Sequence, residues 1–357
     1  MIASIKNILR RTKQGVLLAP LRRLMLRSPF FATLAYLRNK DFQLEAWAYF
    51  HGLQQVRDSS DNSIGWRYRL RTNTHIIEKG LAAVDRRSVF GAKLAREAVA
   101  DFRRLHELQS TCAATEDEPL YVWSRDVLTT YFSVTGSEPR IDAARNEFRK
   151  LDLQRAPTGE SLTPFARGAH GEEDCSYDQL MALARRRRSV RGYLPDKVPH
   201  DLIDKAMAIA ALSPSACNRQ PFHYRIIDDP SMIEQLKDIP GGITCFNHLP
   251  ALIVLTGDMR GCVESITNRH TIYVDACLSA MAFQLALETL GLSSCCVNWS
   301  EMVEKDARVR GLLKMPPYER VVMFMVVGFP MPEAVVPRSH KKHLANLRSF
   351  NAIGPQP

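Results

Sequence analysis

The stretch IYVDACLSAMAFQLALETL, residues 272–290, decides the fold of this chain. Its only charged residues are Asp275 and Glu288, and it is long enough for about five turns of helix. A helix that is apolar on all sides must be buried in a core, in a subunit interface or in a membrane. The two carboxylates, Gln284 and the many alanines weaken the membrane alternative, because charges inside a bilayer are costly. We therefore predict a central helix buried in a domain core or a dimer interface.

Short runs rich in β-branched and aromatic residues lie on both sides of this helix. The strand candidates are residues 222–227, 251–256, 294–298 and 321–327, and the helix candidates before them are residues 177–187 and 201–212. Strands and helices therefore alternate from residue 177 onward.

The residues before this part have a different character. Residues 41–154 show mostly helical periodicity, with helix candidates at 87–108, 121–132 and 141–151, and they predict a helical accessory region to which the sequence assigns no chemistry. Residues 155–176 collect prolines and glycines among polar residues, which is typical of a linker. The predicted order is thus accessory region, linker, a main domain over residues 177–345, and a tail over residues 346–357.

The positive charge of the chain is concentrated at its N-terminus. Residues 1–40 contain nine Lys and Arg and no Asp or Glu, so a net charge of +10 for the chain leaves +1 for all other residues. Apolar residues recur at helical spacing between these charges, which predicts a basic amphipathic helical segment. Such a segment either contacts an anionic membrane surface or packs as a solvated helix on its own protein. No aromatic residue for base stacking lies among the basic residues from Lys6 to Arg27, so nucleic acid is not expected as a partner.

Eight cysteines are scattered along the chain without a CxxC pair and without the ligand spacing of a zinc site. Neither a metal site nor a disulfide framework is predicted. Several of the cysteines lie in apolar runs, where a free cysteine behaves as a small hydrophobic residue. A reducing, cytoplasmic compartment is therefore expected, at the inner face of the membrane if residues 1–40 bind it.

The first motif with chemical content is RRRRSVR, residues 185–191. An arginine run by itself is usually a solvated helix end. Here Ser189 and the return to Arg191 change the interpretation, because guanidinium groups bind phosphate bidentately and a hydroxyl adds a neutral donor. The motif suits a dianionic phosphate.

The second motif is SPSACNRQPF, residues 213–222, between a predicted helix and a predicted strand. Asn218 and Gln220 each offer a donor and an acceptor on one amide, as the pyrimidine edge of a flavin requires. Ser, Asn and Pro are also ordinary turn residues, and the motif alone leaves both interpretations open.

Two further motifs follow the apolar helix. GLSSCCVNW, residues 291–299, contains vicinal cysteines, which we interpret as small residues of a buried strand in preference to a redox or metal pair. GFP at 328–330 ends the last predicted strand, and VPRSHK at 336–341 brings a second basic group that could reach the same phosphate.

In content, order and spacing these four motifs resemble the FMN-dependent nitroreductase family, over residues 177 to about 341. The residues of the second and third motifs are similar to those of one branch of this family. That branch has an N-terminal helical extension and is often linked to polysaccharide biosynthesis. The resemblance and the alternation of elements predict an α+β fold: a nitroreductase-like mixed sheet flanked by helices, preceded by a mostly helical N-terminal region.

The resemblance also implies a homodimer with FMN at the subunit interface, and it assigns site residues. Arg187, Arg188 and Ser189 would bind the phosphate and the ribityl chain, Arg338 would close on the phosphate, and Arg191 would lie near a pyrimidine carbonyl. A second group would come from the partner subunit or flank the ring: Pro214, Ser215, Asn218 and Gln220. A backbone N–H near Cys296 and Val297 would face the central nitrogen of the flavin.

The implied function is an FMN-dependent oxidoreductase in which NAD(P)H reduces the flavin and a small organic molecule is then reduced. No catalytic side chain is expected, because the flavin carries the chemistry. This fits a sequence without a triad, a carboxylate pair or a GxGxxG nucleotide motif. Two alternatives stay open: a flavin-dependent dehydrogenase of a biosynthetic intermediate, such as one of polysaccharide synthesis, and a non-catalytic scaffold at the membrane.

Overall fold

A computed structural model describes Thr33 and residues 40–57, 64–111, 118–153, 161–169, 174–243, 245–262 and 266–351. The predicted basic amphipathic segment at residues 1–40 lies outside the described residues except for Thr33 and Lys40, and the predicted linker is described only in part. The boundaries between accessory region, linker, main domain and tail remain predictions.

The first part of the described chain is helical, as the sequence predicts. Its helices are α1 (Lys40–Arg57), α2 (Gly65–Leu81), α3 (Ala92–Thr111), α4 (Glu118–Val134) and α5 (Pro139–Arg149). Helices α2 to α5 share one apolar core, in which Leu70, Phe102 and Tyr131 are fully buried. Helix α1 lies elsewhere: its Ala48 packs with Met259, Cys262 and Ile272 of the second part.

The second part contains four strands and five α-helices among its described residues. They are α6 (Tyr177–Arg186), α7 (His200–Ala211), β1 (Phe222–Ile227), α8 (Pro230–Leu236), β2 (Ala251–Asp258), α9 (Thr271–Thr289), β3 (Ser293–Asn298), α10 (Val303–Leu313) and β4 (Glu319–Gly328). A capping box begins α6, since Ser176 and Gln179 bond each other's backbone N–H groups. Helix α8 begins shortly after β1 ends, with Asp229 as its N-cap and Pro230 as its first residue.

The strands form one sheet in the order β1-β2-β4-β3, and all three pairings are antiparallel. A parallel contact occurs at the edge, where Ser189 forms a bridge with Ser294. One face of the sheet packs against α7 and α9, with Phe283 and Leu287 in that core. The other face packs against α8 and α10. The α+β prediction of a sheet flanked by helices and preceded by a helical region is confirmed.

Helix α9 covers the stretch that decides the fold, and it packs extensively against α7 and the sheet. Its outer face is not covered by the residues that the structure describes, since Val274, Leu278 and Met281 are 57%, 45% and 43% exposed. Among the described residues no helix has both the length and the apolarity needed to cross a bilayer.

A buried ion pair ties β1, β2 and β4 together. The Glu319 carboxylate accepts hydrogen bonds from Arg225 at 2.9 and 2.6 Å and from the Thr256 hydroxyl at 2.6 Å. Burial raises the pKa of Glu319, but the hydrogen bonds from Arg225 and Thr256 outweigh it and hold that pKa below its usual value of 4.5. The pair therefore stabilises the fold above about pH 4.5, and this contribution is lost as the pH falls through the lowered pKa.

We expect Glu319→Gln to lower the free energy of unfolding by about 3 kcal/mol at pH 7, because it leaves the Arg225 guanidinium without its anion. The difference from the wild type should narrow below pH 4.5. Urea unfolding at a series of pH values measures both effects, with the exposed Glu333→Gln as the control. A difference that stays constant down to pH 3 would contradict the assignment.

Candidate functional site

The arginine motif leaves the C-terminus of α6 and runs along the edge of the sheet. The N–H of Val190 donates to the carbonyl of Ser294 at 3.3 Å, and Ser189 and Ser294 form the parallel bridge. Because β3 is one of the two edge strands, this segment lies beside a strand whose outer backbone groups are not paired within the sheet.

The predicted phosphate arginines are half-buried at this edge. Arg188 donates to the carbonyl of Arg187 at 3.0 Å, and Arg191 donates to that of Ser189 at 3.2 Å. The Nε–H of Arg187 is buried and has no acceptor within the described residues. A buried guanidinium N–H without a partner is costly, and an anionic group would satisfy it. The residues at this end of the site therefore fit a phosphate.

A carboxylate also lies near these arginines. Glu288, near the C-terminal end of α9, accepts from Ser293 at 3.0 Å and lies 3.6 Å from the Nε of Arg186. Burial raises the pKa of Glu288, although Ser293 and the charges of Arg186 and Arg187 act in the opposite direction. The arginines therefore lie near a carboxylate whose ionised form is disfavoured by burial.

The outer edge of β3 offers backbone donors. Residues of an antiparallel strand direct their backbone groups alternately to one side and the other. Since the carbonyl of Ser294 points outward to Val190, the N–H groups of Cys296 and Asn298 point to the same outer edge. The resemblance implies a flavin-facing N–H near Cys296 and Val297. Of these two residues, Cys296 directs its N–H to the outer edge, while the Val297 backbone faces β4.

The vicinal cysteines lie on opposite sides of β3. Cys295 is buried, whereas the side chain of Cys296 is exposed. Burial raises the pKa of the Cys295 thiol in spite of the nearby Arg191 charge and the Ser189 hydroxyl. A buried thiol with a raised pKa is not a reactive thiolate. The interpretation of these cysteines as strand residues agrees with this geometry.

The second motif forms a tight turn between α7 and β1. Cys217, Asn218 and Gln220 have φ angles of 53°, 51° and 50°. Each left-handed non-glycine residue costs on the order of 1 kcal/mol or more, least for asparagine, so such a turn persists only where surrounding contacts hold it. Within the turn, the Ser215 hydroxyl accepts from the N–H of Gln220 at 3.1 Å, and Pro214 is exposed.

Contacts from outside the turn brace it on two sides. From the core side, the Asp275 carboxylate of α9 accepts from the N–H of Ala216 at 3.1 Å. Within the turn, the buried Arg219 side chain donates to the carbonyl of Ala216 at 3.0 Å. From the helical region, Arg71 of α2 donates to the carbonyl of Asn218 at 3.4 Å. The Gln220 side chain donates back to α7 at the carbonyl of Ala211, 3.3 Å away, so its amide oxygen remains for another donor.

One chain does not bring the two predicted halves of the site together. Asp275, near the N-terminus of α9, binds the turn. Glu288, near the C-terminus of the same helix, contacts the arginine motif. Thirteen residues of helix separate these two carboxylates by about 20 Å. Arg338 is exposed in the segment after β4, and no described contact joins it to Arg187.

Sequence reasoning missed three residues of this site. Asp275 and Glu288 had a signal, because they are the charges inside an otherwise apolar helix, yet their roles were not assigned. Arg71 had none, since it precedes Asn218 by 147 positions. In the described part of the chain, no cluster of three or more His, Cys, Asp or Glu side chains is arranged to hold a metal ion.

Comparison with known proteins gives a consistent result. The profile of the Nitroreductase family matches residues 184–242 and 246–329. A provisionally named NADH dehydrogenase/NAD(P)H nitroreductase of Methanothermobacter thermautotrophicus is 25% identical over 164 residues, 45% of this chain and 82% of that protein. An iodotyrosine deiodinase of Nematostella vectensis is 24% identical over 46% of this chain and 71% of its own length. The structure of an FMN-dependent nitroreductase from Clostridium difficile R20291 superposes with a TM-score of 0.41 and 23% identity, over 48% of this chain and 99% of that one.

Proposed function

We propose that residues 184–329, which match the profile of the Nitroreductase family at 184–242 and 246–329, form an oxidoreductase domain. This domain binds FMN, uses NAD(P)H to reduce it and passes the electrons to a small organic substrate. The observation that carries this proposal is the buried Nε–H of Arg187, which has no acceptor among the described residues and lies near the outer edge of β3. A guanidinium in that position needs an anion, and a strand edge next to it can receive a planar ring with hydrogen-bonding atoms.

Bound FMN would supply the hydride and electron transfer, so the residues of the chain have to bind and orient it. Arg187, Arg188 and Ser189 hold the phosphate and the ribityl chain, with Arg338 as a second cation. Arg191 adds a fixed positive charge near the pyrimidine carbonyl. Such a charge stabilises negative charge that develops on the ring.

The turn and the strand edge orient the ring. The outward N–H of Cys296 would be a hydrogen-bond donor to a flavin ring bound at the edge of β3. Ser215 keeps its own hydroxyl proton for donation, because its oxygen accepts from the N–H of Gln220. These groups and the Asn218 amide supply hydrogen bonds for the pyrimidine edge of the ring, and Pro214 supplies apolar contact.

A homodimer would complete the site. The two halves of the site lie at opposite ends of α9 within one chain, and Val274, Leu278 and Met281 expose an apolar stripe along that helix. A two-fold axis perpendicular to this helix would pair the same stripe of both protomers and run the two α9 helices antiparallel, because a 180° rotation about such an axis reverses the direction of the helix. The start of one α9 then lies beside the end of the other, so the turn of one protomer meets the arginines of its partner.

The compartment and the N-terminus belong to the same proposal. The free cysteines in the described part of the chain fit a cytoplasmic protein. The nine positive charges of residues 1–40 would let it bind an anionic membrane surface peripherally.

We expect the purified protein to be yellow, to show the absorption bands of oxidised flavin and to be bleached by NADPH or NADH under anaerobic conditions. Mass spectrometry of the molecule released on heating should give the mass of FMN. Colour that persists with either nicotinamide favours the dehydrogenase of a biosynthetic intermediate. Colourless protein that takes up no added FMN and sediments with anionic vesicles favours the scaffold and contradicts the proposal.

A further inference from the structure

The helical region of the chain touches the candidate site directly. Helix α2 packs against the turn at residues 216–218 and against residues 259–261. It makes these contacts with Tyr68 and Arg71, which lie one helical turn apart and therefore face the same side. The helical region is thus not only a neighbour in sequence but also a neighbour of the residues proposed to read the flavin ring.

The first contact fixes where α2 sits. The Tyr68 hydroxyl donates to the Asp258 carboxylate at 3.1 Å, and the same carboxylate holds Arg260, whose guanidinium lies 3.9 Å over the Tyr318 ring. Tyr68 and Pro221 can pack against Gly261 because this residue has no side chain. A Cβ on Gly261 would lie 2.5 Å from the Cβ of Pro221 and 3.4 Å from the ring of Tyr68. Tyr68 therefore fixes α2 next to Gly261 and Pro221, where the turn ends.

The second contact reaches the turn itself. Arg71 donates to the carbonyl of Asn218, a residue held in the left-handed conformation. The other braces described above come from Ser215, Arg219 and Asp275, all within the segment that matches the family. Arg71 is the brace that lies outside that segment. In this chain the helical region therefore adds a support from outside the residues that match the family.

We propose that Arg71 is a positioning residue: through the carbonyl of Asn218 it holds the turn at residues 215–220 in the conformation that binds the flavin ring. The docking of the helical region then controls flavin affinity. This inference rests on the proposed function for the identity of the ligand, but the brace itself is a property of the protein without ligand.

The test uses the full-length protein with Arg71→Met, which keeps the apolar stem and removes the donor and the charge. Hydrogen exchange of a peptide covering residues 213–222 is measured after removal of flavin, and FMN affinity is measured by titration. We expect exchange of this peptide to become at least tenfold faster and the dissociation constant for FMN to rise about tenfold. Arg71→Lys keeps a cationic donor and should recover most of both effects.

The matched control is Lys79→Ala, which removes an exposed positive charge from the same helix and should change neither measurement. Unchanged exchange in Arg71→Met overturns the inference, and so does faster exchange without weaker FMN binding. If the wild type itself binds no FMN, the proposed function fails. The positioning role as stated then fails with it, and the exchange data show separately whether Arg71 braces the turn.

Discussion

Arg187→Ala is expected to lower the affinity for FMN about 100-fold, so that the variant is purified largely without flavin. The side chain supplies charge-assisted hydrogen bonds of about 1.5–3 kcal/mol each, and loss of roughly 3 kcal/mol corresponds to about two orders of magnitude in the dissociation constant. The Nε of Arg187 is buried and has no acceptor among the described residues, so little of the described structure should depend on it. Titration of the flavin-free variant with FMN measures the change.

The control for this experiment is Arg185→Ala. Arg185 belongs to the same arginine run but is exposed on α6, so its removal changes the net charge equally without touching the proposed phosphate position. We expect its FMN affinity to stay within about threefold of the wild type, as for a screened surface charge. Equal losses in both variants would mean that only the general positive charge matters. Unchanged affinity in Arg187→Ala would place the phosphate elsewhere.

The sheet and its covering helices could be predicted from sequence because burial leaves a periodic signal. The bounds of β1 agree with the predicted residues 222–227, and α9 is displaced by one residue from the predicted 272–290. These segments are apolar enough that any compact fold has to bury them. Shorter or more polar helices gave a weaker signal, and α1, α2, α8 and α10 were not predicted individually.

Helix α2 shows why that signal was weak. It buries Thr72, Asn73 and Thr74, which a pattern based on hydrophobicity assigns to the surface. Two of them are satisfied by distant residues, since Asn73 donates to Glu97 and Thr74 to Ser124. Burial of polar side chains depends on partners that only the folded chain supplies.

The candidate site was predictable in its residue types but not in its geometry. The order of the motifs pointed to Arg187 and Asn218, because phosphate and a ring edge need those donors. The three positive φ angles of the turn could not be read from Cys217, Asn218 and Gln220, because residues with a Cβ rarely adopt them. The separation of the two halves of the site along α9 followed only from the contacts of Asp275 and Glu288.

Leu278→Asp should convert the proposed dimer to a monomer and remove the flavin in the same step. Leu278 lies in the middle of the exposed stripe of α9, between Val274 and Met281. In a two-fold dimer the substitution occurs twice, and each copy exchanges a buried leucine, worth about 2 kcal/mol, for a carboxylate that is costly to bury. The dimer dissociation constant should therefore rise at least about 1000-fold, a change that sedimentation velocity detects at micromolar concentration.

The loss of flavin is the more discriminating half of this prediction, because the arginines at residues 187–191 and the turn at residues 215–220 are unchanged in sequence. If the two halves of the site come from different protomers, a monomer cannot assemble them and its FMN affinity falls with the dimer. Leu312→Asp provides the control, since Leu312 is 39% exposed on α10, and it should leave both properties intact. A Leu278→Asp monomer that retains FMN would show that one chain holds the whole site. A dimer that survives the substitution would place the interface on another face.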